Sequence, residues 1–139
     1  MILITADSIK VDLVLNRLRD KSIGAICIFM GNVRDHSEFG NVSKLYYEAY
    51  TAMAKNKMAE IEKEVLAKWN IRKFVAIHRT GNLKVGETSV IVGVSSEHRK
   101  EAFTACKYAI DSIKSRVPIW KKEISQRGHK WVEGVSLVK

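Results

Sequence analysis

The sequence predicts an α+β fold in which helices pack on a mixed, mostly antiparallel sheet. Segments with strand and helix periodicity follow one another in the order β-α-β-β-α-β-β-α-β-β. Several connections between strands are only as long as a hairpin turn, which favours antiparallel pairing. A chain of 139 residues with 46% hydrophobic side chains is long enough to bury one core. We therefore expect residues 1–139 to form a single α+β domain.

Hydrophobic periodicity places the individual elements. Strands are predicted at residues 2–5, 24–30, 44–50, 72–80, 88–95, 119–125 and 131–133. The run at 24–30 is continuously apolar, so we expect that strand to be buried on both faces. Residues 31–42 are polar and aperiodic and indicate a long loop, whereas residues 81–86 indicate a turn.

Three helices are predicted between these strands. Asp7 or Ser8 can cap the first helix, and Thr51 can cap the second. The third helix begins near residues 97–100, and its apolar positions recur at intervals of three or four. These positions predict one buried face: Phe103, Cys106, Ile110, Ile113 and Val117.

The net charge of +9 and the isoelectric point near 9.7 indicate an anionic partner or a basic, solvated surface. Nucleic acid, a phosphorylated small molecule and an acidic protein would each fit. The charge is uneven, because residues 114–130 hold six Lys or Arg residues and one acid, Glu123. We expect the anionic partner to bind around this segment.

Cysteine use and hydropathy limit the compartment and the class of protein. Cys27 and Cys106 lie in apolar surroundings, far apart in sequence, which is typical of free thiols in a reducing compartment. No apolar run is long enough to span a bilayer, and the first residues lack the basic flank of a signal peptide. We expect a cytoplasmic protein that binds no membrane.

The segment around Pro118 is the strongest candidate for a site. Pro118 is the single proline of the chain and ends the helix that precedes it. Lys114 therefore lies near a helix end, and Lys121 and Lys122 lie just beyond the break. This junction brings amines from two different elements together, although a solvated lysine face remains the alternative.

Two further basic clusters are candidate ligands. Arg34 and His36 lie in the long loop, and His98 and Arg99 lie at a helix start, where free N–H groups and the helix dipole favour anions. Exposed polar residues without a role are the alternative for both clusters. The four histidines lack the paired spacing of metal ligands, and no glycine-rich phosphate loop is present, so we expect no metal and no cofactor.

Motifs spread along nearly the whole chain carry a resemblance to a known family. They are GNVR at 31–34 with Asp35 and His36, LYYEAY at 45–50, IHRTG at 77–81, SEHR at 96–99, DSIK at 111–114, PIWKKE at 118–123 and WVE at 131–133. In this order they resemble the large, catalytic subunit of molybdopterin synthase.

The resemblance implies an α/β hammerhead-type fold and a homodimer within a heterotetramer. A small ubiquitin-like subunit would carry sulfur as a thiocarboxylate on its C-terminal glycine. The large subunit would transfer two sulfurs to cyclic pyranopterin monophosphate, a phosphorylated pterin, and so form the dithiolene of molybdopterin. The chain ends in LVK at 137–139 rather than Gly-Gly, which fits the acceptor subunit and not the carrier.

The resemblance also assigns roles to the basic residues. Lys114 and Lys121 match the essential lysines of the family, and Arg34, His98 and Arg99 match basic residues of its substrate pocket. We expect Lys121 to contact the acyl group or act as acid or base, and Lys114 to act electrostatically. Two other interpretations stay open: a nucleic-acid-binding module without catalysis, which could use Trp120 and Trp131 for stacking, and a scaffold that only docks an acidic partner.

Overall fold

The computed structural model describes residues 1–126 and 128–132 of the chain. Arg127, which falls in the predicted last turn, Glu133 of the predicted last strand and the LVK sequence at 137–139 lie outside the described residues. The strands are β1 (Ile2–Thr5), β2 (Ala25–Asn32), β3 (His36–Ser37), β4 (Gly40–Asn41), β5 (Lys44–Ala49), β6 (Ile71–Arg79), β7 (Gly81–Lys84), β8 (Thr88–Ser96), β9 (Ile119–Ser125) and β10 (Gly128–Val132). The helices are α1 (Val11–Leu18), α2 (Thr51–Lys68) and α3 (Arg99–Arg116).

These strands form two four-stranded sheets and one short hairpin. The first sheet has the order β1-β6-β8-β2, in which β1 runs parallel to β6 and the other pairs are antiparallel. The second sheet has the order β10-β9-β5-β7 and is antiparallel throughout. The predicted α+β class with a mostly antiparallel sheet is confirmed.

The first sheet is covered by helices on both faces. Phe74 and Ala76 of β6 pack into the larger core together with α2 and α3, whereas Val75 and Ile77 pack against α1. This alternation is the one that the sequence predicts for the strand. His78 follows Ala76 on the same face of β6 as Phe74. An ionisable side chain therefore lies next to the apolar core.

The strand β2 differs from the prediction. Among the strands of residues 1–126 and 128–132, it lies at the edge of its sheet, next to β8 alone, and Ile26, Phe29 and Met30 are 38%, 37% and 39% exposed. The expectation that this strand is buried on both faces was wrong. The apolar sequence of β2 indicates that burial of its side chains is favourable. Hydrophobicity alone does not indicate whether the residues that bury them belong to the same chain.

The helix starts also differ from the predicted caps. The residue before α1 is Lys10, and the residue before α2 is Tyr50, and neither makes a side-chain capping hydrogen bond. In α3 the apolar stripe is buried as predicted except at Phe103, which is 67% exposed. Phe103 lies on the same helix as Cys106, whose thiol contacts Cys27 of β2.

The predicted long loop at 31–42 contains the hairpin of β3 and β4. Gly40 adopts a φ of 119°, a value that favours glycine, and permits the tight reversal. Ser37 Oγ donates a hydrogen bond of 2.7 Å to Glu123 Oε1, which ties the hairpin to β9. The predicted turn at 81–86 likewise contains the strand β7, which pairs with β5.

The junction at Pro118 is formed as predicted. The helix α3 ends at Arg116, two residues before the proline, and β9 begins directly after it. Arg116 donates two hydrogen bonds of 2.7 and 2.6 Å to the carboxylate of Glu64 on α2. Because this paired contact is charge-assisted, it fixes the last turn of α3 against α2. Within the described part of the chain, no helix is long and apolar enough to cross a membrane.

Gly93 provides a test of the packing between β8 and α1. A Cβ atom at Gly93 would lie 2.5 Å from Leu18 Cδ1, so Gly93→Ala should lower the free energy of unfolding by about 1–3 kcal/mol through overpacking. In a Leu18→Ala background the same methyl group enters vacated space and should cost less. Urea unfolding of the wild type, the two single variants and the double variant measures the cost of Gly93→Ala in both backgrounds. Equal costs in the two backgrounds would contradict this packing.

Candidate active site

A cavity of about 220 Å³ lies where the last turn of α3 meets the second sheet. Its lining residues come from four strands, from α3 and from the junction after α3: Tyr47, His78, Ile113, Lys114, Val117, Ile119, Lys121 and Val132. Half of these side chains are aliphatic, and the other four are polar. The cavity therefore combines a dry wall with a few polar groups, as small-molecule sites in proteins do.

Two different elements place the lysines on this cavity. Lys114 lies in the last turn of α3, and Lys121 lies on β9, opposite Tyr47 of β5. Side chains alternate along a strand, so Ile119 and Lys121 face the cavity together. Lys122 faces the other side and lies 5.3 Å and 5.2 Å from the ring centroids of Tyr46 and Trp131.

The ammonium group of Lys114 is affected by its surroundings. Burial of its amine lowers the pKa of Lys114 below the usual value, and the charge of Lys121 lowers it further. Lys114 lines the cavity although the residue as a whole is exposed, so the cavity is open to solvent beside it. An anion between the two amines would relieve their repulsion, and the site is therefore suited to a negatively charged ligand.

Two polar lining residues, His78 and Tyr47, were not among the predicted site residues. The hydrophobic alternation assigns His78 to packing, and the structure places it on the cavity wall at 4% exposure. Tyr47 also lines the cavity, and its ring lies edge-on to that of His78, with centroids 5.0 Å apart. The sequence does contain one feature that could have identified His78 as a site residue: it is an ionisable residue on the otherwise apolar face of β6.

The imidazole of His78 is neutral. Its Nδ1 lies 2.7 Å from the carbonyl oxygen of Arg79, to which it donates a hydrogen bond. Burial lowers the pKa of His78 to about 4, the positive charge of Lys114 lowers it as well, and the hydrogen bond only partly opposes them. Burial also raises the pKa of Tyr47, so both groups stay uncharged near neutral pH.

The other predicted site residues lie away from this cavity within one chain. Arg99 opens α3 and Lys114 lies in its last turn, so about 22 Å of helix separates them at roughly 1.5 Å per residue. Arg34 is exposed after β2 and is not a lining residue. His98 is exposed and lies 3.7 Å from the carboxylate of Glu97. His36 is also exposed and lies 2.6 Å from the carboxylate of Asp35.

The arrangement suits the binding of an anion and the stabilisation of negative charge that develops during a reaction. Lys114 and Lys121 supply the cations, and the aliphatic wall limits the water that would screen them. Within residues 1–126 and 128–132, no three His, Cys, Asp or Glu side chains are grouped so that they could hold a metal ion.

Known proteins resemble this chain over most of its length. The family model described as MoaE protein matches residues 4–116. The molybdopterin synthase catalytic subunit of Pyrococcus abyssi is 46% identical over 81% of this chain and 76% of its own length. That of Thermoplasma volcanium is 46% identical over 83% of this chain and 84% of its own. The crystal structure of molybdopterin synthase from Staphylococcus aureus has a TM-score of 0.89 and 38% identity, and covers 94% of this chain and 95% of that one.

The fold and the relatives together define the catalytic subunit of an enzyme that transfers sulfur in molybdopterin formation. The chain belongs to the MoaE family of molybdopterin synthase catalytic subunits, which act in molybdenum cofactor biosynthesis. The alternative of a nucleic-acid-binding module is not supported. Trp120, one of its two expected stacking residues, is partly buried and packs edge-on against Tyr50.

The neutrality of His78 predicts a pH dependence of stability. Its pKa is about 4 in the folded chain and near 6.5 when unfolded, so the unfolded state binds more protons between these values. Stability should therefore fall on acidification from pH 6.5 towards 4, by roughly 3 kcal/mol at pH 4. His78→Asn, which does not titrate, should lack this component. Urea unfolding of both proteins between pH 4 and 7.5 measures it, and parallel stability curves would contradict it.

Proposed function

We propose that the cavity holds the thiocarboxylated C-terminus of a small ubiquitin-like carrier subunit while its sulfur passes to cyclic pyranopterin monophosphate. The observation that carries this proposal is the convergence of Lys114 and Lys121, from different elements, on one cavity. Both reactants are anions, so bringing them together costs electrostatic energy that two nearby cations offset. Two such transfers form the dithiolene of molybdopterin.

The chemistry assigns a separate task to each lysine. The thiocarboxylate sulfur bonds to a carbon of the pterin substrate as a C–O bond of that carbon breaks and its oxygen leaves, which gives a thioester between carrier and pterin. Water then attacks the acyl carbon and the acyl–sulfur bond breaks, so the carrier keeps a carboxylate and the sulfur stays on the pterin as a thiolate. The attack of water on the acyl carbon forms a tetrahedral oxyanion. Lys121, on the cavity wall beside Tyr47, contacts this oxyanion or transfers a proton there, and Lys114 supplies positive charge at the mouth.

The chain acts as a homodimer in this proposal, because one copy alone leaves the basic residues dispersed. In the described part of the chain, β2 is an edge strand, and it has three exposed apolar side chains, Ile26, Phe29 and Met30. Such an edge is a template for pairing with a second copy. Phe103 on α3 is a further apolar side chain that is exposed in one copy.

Pairing through β2 would complete the site. The helix α3 follows β8 and runs in the same direction as β2, so Arg99 lies at the Ala25 end and Lys114 at the Asn32 end of that strand. In an antiparallel β2 pair, the Asn32 end of one copy meets the Ala25 end of the other. His98 and Arg99 of the second copy would then approach Lys114, and Arg34 follows β2 at the same end.

The remaining parts of the proposal concern the assembly and its surroundings. Two carrier subunits on one dimer give a heterotetramer, and the substrate is a phosphorylated pterin rather than nucleic acid. The cytoplasm fits the free thiols of Cys27 and Cys106, because a reducing compartment keeps such thiols unpaired.

Substitution of the two lysines tests the catalytic assignment. Lys114→Ala and Lys121→Ala should each lower molybdopterin formation by about a hundredfold or more, since each removes a cation from the developing oxyanion. The assay uses thiocarboxylated carrier and pterin substrate at saturation. Lys122→Ala is the matched control, because this neighbouring lysine faces the opposite side of β9 and should leave the rate near that of the wild type. Near-normal turnover in both Lys114→Ala and Lys121→Ala would refute the assignment.

Mixed dimers test whether the site is shared between copies. Lys114→Ala and Arg99→Ala should each be inactive alone, but a dimer of one copy of each should contain one intact site. Random pairing of equal amounts should then restore about a quarter of wild-type activity. If each site belonged to a single chain, every site in the mixture would carry a lesion, and no activity would return.

A further inference from the structure

His78 is a buried polar residue of the cavity for which the proposed chemistry has no use. It lies in β6, the strand between β1 and β8, and faces the same cavity as both lysines. A buried polar group on a binding wall is costly unless it has a partner or meets one in the ligand. The neighbours of the ring show which of its two nitrogens is available.

The contacts of His78 fix the ring and its tautomer. The carbonyl oxygen of Arg79 can only accept a hydrogen bond, so the Nδ1 atom 2.7 Å away carries the proton. In the neutral ring the other nitrogen, Nε2, then holds a lone pair and can only accept. The edge-on contact with Tyr47, at an interplanar angle of 68°, limits rotation of the ring.

The cavity has few other acceptors. Lys114 and Lys121 offer only donors in their charged forms, and four lining residues are aliphatic. The hydroxyl of Tyr47 hydrogen-bonds with Ser89. Of the lining side chains that the structure describes, Nε2 of His78 and the hydroxyl oxygen of Tyr47 are therefore the groups that can accept a hydrogen bond, and Nε2 is the one that can only accept.

The proposed carrier tail brings in a donor that needs such an acceptor. Its terminal thiocarboxylate would face the lysines, and the N–H of the last peptide bond would enter the cavity just behind it. In the cavity that N–H loses its water, and an unpaired buried N–H is rare in proteins. We propose that His78 is a tail-binding residue, whose Nε2 accepts a hydrogen bond from the last peptide N–H of the carrier tail.

This inference rests on the proposed function and adds a second kind of recognition to it. The lysines bind any anion of suitable size, whereas an acceptor behind them favours an anion attached to a peptide N–H. Inorganic phosphate and a phosphorylated pterin lack that N–H beside the charge. His78 would thus distinguish the carrier tail from the other anions that reach the cavity.

A carrier subunit with an altered backbone tests the contact. Carrier ending in Gly-Gly with a free carboxylate binds without reacting, and semisynthesis can replace its last peptide bond with an ester, which removes the N–H alone. For the full-length wild-type chain, we expect the ester to weaken binding about tenfold in calorimetry. In His78→Asn the amide carrier should bind about tenfold more weakly than in the wild type, and the ester should weaken it little further.

His78→Gln is the matched variant. The Gln amide can place an oxygen near the position of Nε2, whereas the Asn amide can place only a donor near Nδ1. We expect His78→Gln to keep the preference for the amide carrier and His78→Asn to lose it. The opposite order, or an ester effect of equal size in wild type and His78→Asn, would overturn the inference in favour of a structural role through Nδ1.

Two further controls keep the outcome decisive. An ester at the preceding peptide bond should have little effect, and equal losses at the two positions in the wild type would overturn the inference even if a variant fails to fold. Carrier that does not bind the wild-type chain at all would overturn the proposed function itself, whereas binding without the ester effect would overturn only the role of His78.

Discussion

Two ammonium groups that repel each other line one small cavity, and the surrounding structure must hold both of them there. Lys114 and Lys121 would move apart if their backbones were free, and the charge of Lys121 already lowers the pKa of Lys114. Their positions are set by covalent and packed structure instead. Pro118 ends the helix close to Lys114, and β9 holds Lys121 between β5 and β10. The pairing of Arg116 with Glu64 fixes the same helix end from the other side.

The same constraint explains why the remaining polar groups of the cavity are uncharged. A protonated imidazole at His78 would add a third positive charge to a partly dry site, and burial together with the Lys114 charge lowers its pKa to about 4. Tyr47 stays protonated for the reason that burial disfavours its anion. The cavity thus keeps its positive charge on two flexible amines, which can adjust to a ligand, and its neutral groups on a rigid wall.

Much of the fold could be predicted because local rules and packing agree there. The alternation of Phe74, Val75, Ala76 and Ile77 sets the two faces of β6, and Pro118 sets the end of α3 without reference to anything distant. The convergence of Lys114 and Lys121 could be predicted from the same break. The strands β3, β4 and β7 could not, since they are short and polar and owe their pairing to neighbours such as β5.

The limits of prediction for the site have a different origin. Phe103 was expected in the core because its spacing matches Cys106 and Ile110, yet spacing reports only that a position shares a helix face. The prediction that β2 is buried on both faces failed for a similar reason, because an apolar sequence does not indicate which residues will cover it. Both errors concern apolar side chains that are exposed in one chain, and in the proposed dimer a second copy would cover those of β2. An apolar pattern that is typical of buried residues but is exposed in one chain indicates a surface that an assembly can cover. In the proposed dimer, this cover would bring His98 and Arg99 of one copy towards Lys114 of the other.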